Sequence, residues 1–448
     1  MNYPRYPTYK NSNVTWLLEI PEGWKLQSGR STFMQTRIKS DVKDEQLSAT
    51  QKYGVIPQDQ FMELEDQKVM LALKGTESFK HVDVDDFVIS LRSFEGGIEH
   101  CHYNGCVSPA YTILKSRIEI IPDFFAYMFK SQLFIQVIQS VSEGIRDGKT
   151  ITYEQFSKIT LPIPPLSDQS DIAKFLNGAV SKIDLLISKQ QQLIELLKEK
   201  RQAIITNAVT KGLDTSVPMK DSGIEWIGEV PEHWKVMKIK FTSYVKGRVG
   251  WKGLTSEEYL ENGYAYLVTG QDFQSKTILW DSCYCVDKGR YDDDSYIQLK
   301  NGDLLITKDG TIGKLAIVEG LEKPACLNSG IFLVRPNDYY HTDFLYYILS
   351  STVFSNFYFQ RSFGSTIQHL YQNVFEGFSF PIPPMEEQSK IVAYLERKMG
   401  KIDKIISTGE RMVQLLKEYK TSLISQAVTG KIDVRGFSLP TTSSDALH

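Results

Sequence analysis

A mixed α/β (α+β) fold built twice, with two α/β domains joined by two long helices, is what the sequence predicts, and three observations carry that expectation. Leu161-Pro162-Ile163-Pro164-Pro165 opens one long helical run and Phe380-Pro381-Ile382-Pro383-Pro384 opens another, at an offset of 381 − 162 = 219 that holds without a gap through both runs. Within them Asp168-Gln169-Ser170 returns as Glu387-Gln388-Ser389, Lys182-Ile183-Asp184 as Lys401-Ile402-Asp403, and Ala208-Val209-Thr210 as Ala427-Val428-Thr429. About two residues in five are identical over these segments, more than shared helical composition gives. Upstream, Ile20-Pro21-Glu22-Gly23-Trp24 reappears as Val230-Pro231-Glu232-His233-Trp234, at offset 234 − 24 = 210.

Residues 1–24 form an N-terminal arm that ends in the first Trp/Pro motif. Residues 25–160 are a mixed segment in which residues 86–90 and 111–114 read as buried strands. Pro122 then starts an apolar helix to about residue 141, with Asp123 as its N-cap. Residues 161–214 are the first helical segment and 215–234 a linker carrying the repeated Trp/Pro motif. Residues 235–379 repeat the mixed segment, with strands at 302–307 and 331–334 and a helix start at 342. Residues 380–435 are the second helical segment, and 436–448 are a flexible tail.

The helical runs cover about 167–210 and 386–429. Prolines hold the chain extended up to each run and stop the helix from extending backwards. Ile172, Leu176, Ile183, Leu186, Leu193, Leu197, Ile204 and Ala208 make an apolar stripe in steps of seven, four and three, answered by Ile391, Leu395, Ile402, Ile405, Met412, Leu416, Leu423 and Ala427. Runs of that length rise roughly 65 Å at ~1.5 Å per residue, too long for a lone amphipathic helix to bury its stripe. Two such helices in one chain solve this by packing on one another. If the halves relate by a pseudo-two-fold axis, they form an antiparallel coiled coil. Ordinary bundle helices in two unconnected domains are the alternative.

Bulk properties narrow the function classes. A chain of 448 residues exceeds one compact core, and 42% hydrophobic with 23% charged residues describes a globular protein. No apolar run approaches the ~18 residues of a membrane span, and the polar N-terminus is not a signal peptide, so no membrane partner is expected. Five cysteines, an odd number, suit reduced thiols in the cytoplasm. With a net charge of −3, any nucleic-acid face must be a patch.

The paired Pro-Ile-Pro-Pro-(x)₃-Gln segments (Pro162 to Gln169 and Pro381 to Gln388), the Ile-Pro-Glu-Gly-Trp motif with its second copy, and Gly302-Asp303-Leu304-Leu305-Ile306-Thr307-Lys308-Asp309-Gly310-Thr311-Ile312-Gly313 together resemble the specificity subunit of Type I restriction-modification systems. The resemblance spans essentially the whole chain. It implies that residues 25–160 and 235–379 are target recognition domains, each reading one half of a bipartite site in double-stranded DNA. It also implies that the helices set the spacing between the halves and dock two methyltransferase subunits, and that restriction subunits join that core. S-adenosylmethionine, ATP and Mg²⁺ would then be used by those partners, with no cofactor, metal or catalytic residue on this chain. A non-catalytic coiled-coil adaptor spacing two protein-binding domains is the alternative.

Candidate contacts follow from loop position. Arg92 and Ser93 leave the first strand into a glycine-containing loop, as do Lys308, Thr311 and Lys314 in the second copy; glycines allow close approach and cations suit phosphates. Arg146 and Lys149, and Arg361, sit in polar loops ahead of the two Pro motifs. Tyr111 and Asn328 lie near the second strand of each repeat. Plain turns and solvated loops are the alternative for each. Trp16, Trp24, Trp226 and Trp234 read as packing anchors that seat each domain on the helices, with base-stacking platforms the alternative. Lys198, Arg201, Lys417 and Lys420 on the outer helix faces are solvated charges or partner-docking residues.

Rival chemistries fail on the repeat. Pro122-Asp123 with Asp147-Gly148-Lys149 imitates a nuclease signature, but the second copy keeps only Asp343. His100-Cys101-His102 with Cys106 lacks a second ligand pair at zinc spacing. Neither a phosphate-binding Walker loop nor the Asp/Asn-Pro-Pro-Tyr/Phe motif of amino-group methylation is present.

Overall fold

A computed structural model describes residues 3–65, 78–141, 151–248, 254–361 and 369–437. Of the expected tail, residues 438–448 lie outside the described residues. The chain forms two compact units, one of Met1–Gln190 with Arg411–His448 and one of Gln191–Glu410. Each unit thus holds one α/β domain and a stretch of both long helices.

The same frame is built in each. The first unit has an antiparallel sheet in the order Phe33–Thr36, Thr112–Ser116, Phe87–Ile89, Glu99–His100. The second has Ser243–Gly247, Ile331–Pro336, Leu304–Thr307, Leu315–Ile317 in the matching order. The first sheet buries Phe33 and Phe87 against Phe125 and Phe129 of the following helix. The predicted single helix from Pro122 is two, Pro122–Lys130 and Gln132–Val141. Buried Ser131 is extended, and its hydroxyl donates to the Met128 carbonyl. The break recurs at buried Ser351, whose hydroxyl donates to Ile348 between Thr342–Leu349 and Thr352–Arg361. Asp123 is not the N-cap, which is Ile121; its carboxylate accepts from Asn177 Nδ2 at 2.8 Å.

The long helices are Leu166–Lys211 and Met385–Val428. In the first unit Val180 and Ile424 border one cavity while Asp184 meets Lys420 Nζ at 2.7 Å, so the two stretches run antiparallel. In the second unit Arg201 Nε meets Asp403 at 2.9 Å. These two ion pairs are one pair seen twice, since 184 + 219 = 403 and 201 + 219 = 420. Half-exposed pairs of this kind contribute about 0–1 kcal/mol, so they fix register more than stability. Most of the predicted stripe is buried, but its middle is shifted by one residue. Leu186 and Leu193 are 54% and 45% exposed, and Ile187 and Ile194 are buried in their place. Ile405 and Met412 are likewise exposed, with Val413 buried and Ile406 packed on the second core. At ~100° per residue, Leu186 lies roughly 80° around the helix from Leu176 and Ile187 only about 20°.

The proline motifs are the junctions. Thr160–Ile163 pairs with Lys25–Ser28, and Ser379–Ile382 with Lys235–Lys238, as two-stranded ladders that lead straight into the long helices. The glutamine that follows is buried in both copies. Gln169 accepts the Ile121 N–H at 2.9 Å and donates to the Pro164 carbonyl; Gln388 accepts the His341 N–H at 3.0 Å and donates to Pro383 and Tyr339. Trp24 and Trp234 are buried, and each indole N–H donates to the carboxylate one residue earlier on the helix, Asp168 at 3.2 Å and Glu387 at 2.9 Å. They are the expected packing anchors.

The arm closes the first unit as the linker closes the second. Strands Tyr9–Asn11 and Glu19–Pro21 repeat as Met219–Asp221 and Glu229–Pro231. Gly212, at φ +76°, ends the first long helix against Trp234; Gly430, at φ +72°, ends the second against Pro21 and Trp24. The Asp433 N–H donates to the Pro4 carbonyl and Tyr9 Oη to the Gly430 carbonyl. The Gln388→Leu change leaves three backbone groups without their partner and should lower the stability of the second unit by about 3 kcal/mol, read as the shift of its urea transition.

Candidate nucleic-acid interface

Both α/β domains have a cleft at the ends of their two central strands. In the second unit Thr307 ends its strand and the chain turns through Asp309, Gly310, Thr311 and Lys314. Gly310 and Gly313 have φ of +64° and +84°, a turn that residues with a Cβ resist. The Thr307 hydroxyl pins the loop, donating to the Thr311 carbonyl at 2.6 Å and accepting the Lys314 N–H at 2.9 Å. Across from the loop stand Thr269, Gln271, Tyr259, Tyr284 and Asn328, around a cavity of about 500 Å³. Asn328 Nδ2 donates to Tyr259 Oη at 2.8 Å, leaving its carbonyl oxygen to accept the Ser329 N–H at 2.7 Å. Amides, hydroxyls, two phenols and a lysine round a concave site suit the polar edges of bases and the phosphates beside them, and the carboxylate of the lining, Asp309, is paired with His369.

The corresponding loop of the first unit is packed down. Residues Ser93–Gly96 form a turn of helix, and Gly97, at φ +85°, has the Phe129 carbonyl where a Cβ would stand. Ser93 is 1% exposed and its hydroxyl accepts the Ser90 N–H at 2.8 Å. It holds the loop's shape and presents nothing outward, which corrects its reading as a contact residue. The open cleft here, about 410 Å³, lies on the other side of the strand ends, between Gln35, Arg37, Ser90, Leu91, Thr112 and Tyr153.

Of the residues singled out from sequence, Thr311, Lys314 and Asn328 come together in the second cleft. Lys308 is half-buried, its ammonium 5.1 Å above the Phe332 ring. Arg92 is exposed beside the first cleft; Tyr111 is half-buried, its hydroxyl raised in pKa by that burial, and its carbonyl accepts from Lys80 Nζ at 2.5 Å. Arg361 is exposed on the last turn of its helix, while Arg146 and Lys149 lie outside the described residues. Gln271, Tyr259, Tyr284, Gln35 and Arg37 were missed. Thr269-Gly270-Gln271, a polar glycine turn after an apolar run, and the alternation of Gln35 with Arg37 along one strand face were the available signals.

On the helices, Arg201 and Lys420 already serve the two ion pairs described above, and Lys198 pairs with Glu195 at 2.9 Å. Lys417 borders a groove between the second long helix and Gln132, Leu133 and Gln136 of the first unit. Among the described residues no cluster of three His, Cys, Asp or Glu side chains is placed to hold a metal, and no helix is long and apolar enough to cross a membrane.

A second cavity of the first unit, about 570 Å³, separates the domain from its helix stretches and is bordered by Glu99, His100, Asp123, Lys130, Asn177 and Lys420. Burial raises the Glu99 carboxyl to about 7 despite its contact with Lys130, and burial lowers His100. A carboxyl whose folded pKa exceeds its unfolded value loses stability as pH climbs from the unfolded pKa through the folded one. Glu99→Gln should therefore stabilise the first unit at pH 8, by up to about 3 kcal/mol, with the gain fading towards pH 4.5. Thermal melts at both pH values check this.

Comparison with known proteins agrees with the repeat. A family model described as Type I restriction modification DNA specificity domain matches residues 42–196 and again 231–408. The Type I restriction enzyme MjaVIII specificity subunit of Methanocaldococcus jannaschii is 24% identical over 443 residues, covering 96% of this chain and 98% of the relative. A chain solved in a study of complex assembly and conformational transition of the type I R-M system superposes with a TM-score of 0.66 at 16% identity, over 91% of this chain and 98% of that one. The HsdS subunit from Thermoanaerobacter tengcongensis superposes at 0.54 with 15% identity, over 92% and 98%.

Proposed function

We propose, from the premise that this chain belongs to the Type I restriction modification DNA specificity family, that it is the sequence-reading subunit of a Type I restriction-modification complex. Each α/β domain reads one half of a bipartite site in double-stranded DNA. The observation that carries this reading is one frame built twice, with a polar cleft at equivalent strand ends but different side chains in each. A duplicated frame imitates a symmetric dimer and so can bind two copies of one partner, while its diverged clefts read an asymmetric target.

The chain supplies recognition and no reaction step. Two methyltransferase subunits dock on the long helices and restriction subunits join them, in the cytoplasm. S-adenosylmethionine, ATP and Mg²⁺ serve those partners. Exposed apolar side chains on the helices support the docking role better than the lysines do. Leu186, Met412 and Leu415 are exposed in the first unit, and Leu193, Leu196 and Ile405 in the second. Leu196 and Leu415 are equivalent positions, 62% and 49% exposed. Apolar surface of this extent marks interaction sites.

Adenine-methylation mapping of a plasmid from cells expressing the chain with its methyltransferase subunit tests the reading. Methylation at one bipartite motif, lost when the chain is deleted, is the expected result; an active methyltransferase with no chain-dependent motif would favour the adaptor. For the helices, Leu196→Glu and Leu415→Glu should each reduce the bound methyltransferase from two copies to one, and the double substitution to none, by native mass measurement.

A further inference from the structure

The two clefts are not built from the same strand, and the difference singles out two side chains of the first unit. Gln35 and Arg37 stand two residues apart around the end of strand Phe33–Thr36, on one face, and both border the first cleft. The equivalent positions of the second unit are Val245 and Gly247. Val245 is buried, and Gly247 has Phe332 Cδ1 at 2.8 Å from where a Cβ would stand. Phe332 pairs with Gly247 across the ladder and stacks on Phe375, so an aromatic ring fills the space that Arg37 and Thr112 leave open in the first unit.

Arg37 is exposed and preset. One guanidinium nitrogen, Nη2, donates to Gln35 Oε1 at 3.2 Å, which orients the planar fork while its other donors remain directed elsewhere. Its charge is felt close by. Lys80, whose pKa is lowered first by burial and then by repulsion from Arg37, does not border the cleft and donates to the Tyr111 carbonyl, which leaves Arg37 as the cation of the described cleft lining. The acidic side chain bordering the cleft, Glu154, is engaged by Lys158 at 3.0 Å. A guanidinium buttressed by Gln35 at the mouth of a polar cleft matches a planar acceptor pair. In duplex DNA that pair is the O6/N7 edge of guanine in the major groove.

The geometry points to Arg37 as a base-reading, specificity-determining residue of the first unit, with Gln35 as its positioning residue and a guanine edge as its ligand. This rests on the DNA-reading role proposed above. The second unit, closed at this position by Phe332, reads with the opposite cleft around Gln271, Thr311, Lys314 and Asn328.

The test uses the complex with its methyltransferase subunits and a panel of duplexes in which each base pair of the mapped target is replaced in turn. Arg37→Ala should abolish discrimination at one G·C pair in one half-site, bringing a preference of roughly ten-fold or more down to about one. Discrimination in the other half should persist, which also reports that the complex is folded. Arg37→Lys keeps the charge but not the fork and should lose the same discrimination with less loss of overall affinity. Uniform weakening with every preference retained would make Arg37 a phosphate contact and overturn the proposal, as would unchanged preferences or a loss spread over both halves. A wild-type complex with no base-pair preference anywhere would instead overturn the DNA-reading role itself.

Discussion

The joint of each unit depends on the buried glutamine that follows the proline pair, Gln169 after Pro164-Pro165 and Gln388 after Pro383-Pro384. Gln169 and Gln388 reach back to the backbone N–H at the start of the domain helix and to the carbonyl of the proline segment, so one side chain ties strand, domain helix and long helix together. The indole of Trp24 or Trp234 adds a second tie to the adjoining carboxylate. Both ties sit at the N-terminus of a long helix, where the carboxylate also meets the favourable end of the helix dipole. A domain held in this way transmits its orientation to the helix, and the diverged loops can change without loosening the joint.

That arrangement separates two jobs within one chain. The joints, the sheet order and the ion pairs Asp184–Lys420 and Arg201–Asp403 repeat across the halves, whereas the cleft linings do not. Gly247 beneath Phe332 and Arg37 beside Thr112 occupy the same place in the same frame and give opposite outcomes, one filled and one open. The cleft linings therefore diverge through side-chain volume at fixed backbone positions as well as through loop conformation.

The repeat made the architecture legible from sequence. A proline motif, a glutamine and a Trp-ended motif at constant offsets predicted a doubled α/β fold and both long helices, whose bounds lie within a residue of those expected. What escaped depended on contacts distant in sequence. Ser131 ends a helix because its hydroxyl turns back to Met128, in the middle of an apolar pattern that reads as continuous. Ile187 rather than Leu186 faces inward because small angular errors accumulate along a helix, and seven-residue spacing alone cannot tell neighbours apart. In the candidate site, loop position pointed to Thr311, Lys314 and Asn328, which share one cleft. Ser93 was misjudged because its burial comes from the packing of the whole loop, and Gln35 and Arg37 were missed because they belong to a strand edge.

If the joints isolate the clefts from the frame, the domains are exchangeable one at a time. The most direct test replaces residues 25–160, between the Trp24 and Pro162 anchors, with the matching segment of another family member, and maps the methylated motif of the hybrid complex. A change in one half of the motif, with the other half and the spacer between them unaltered, is the predicted result. A change in both halves, or in the spacer, would contradict the account.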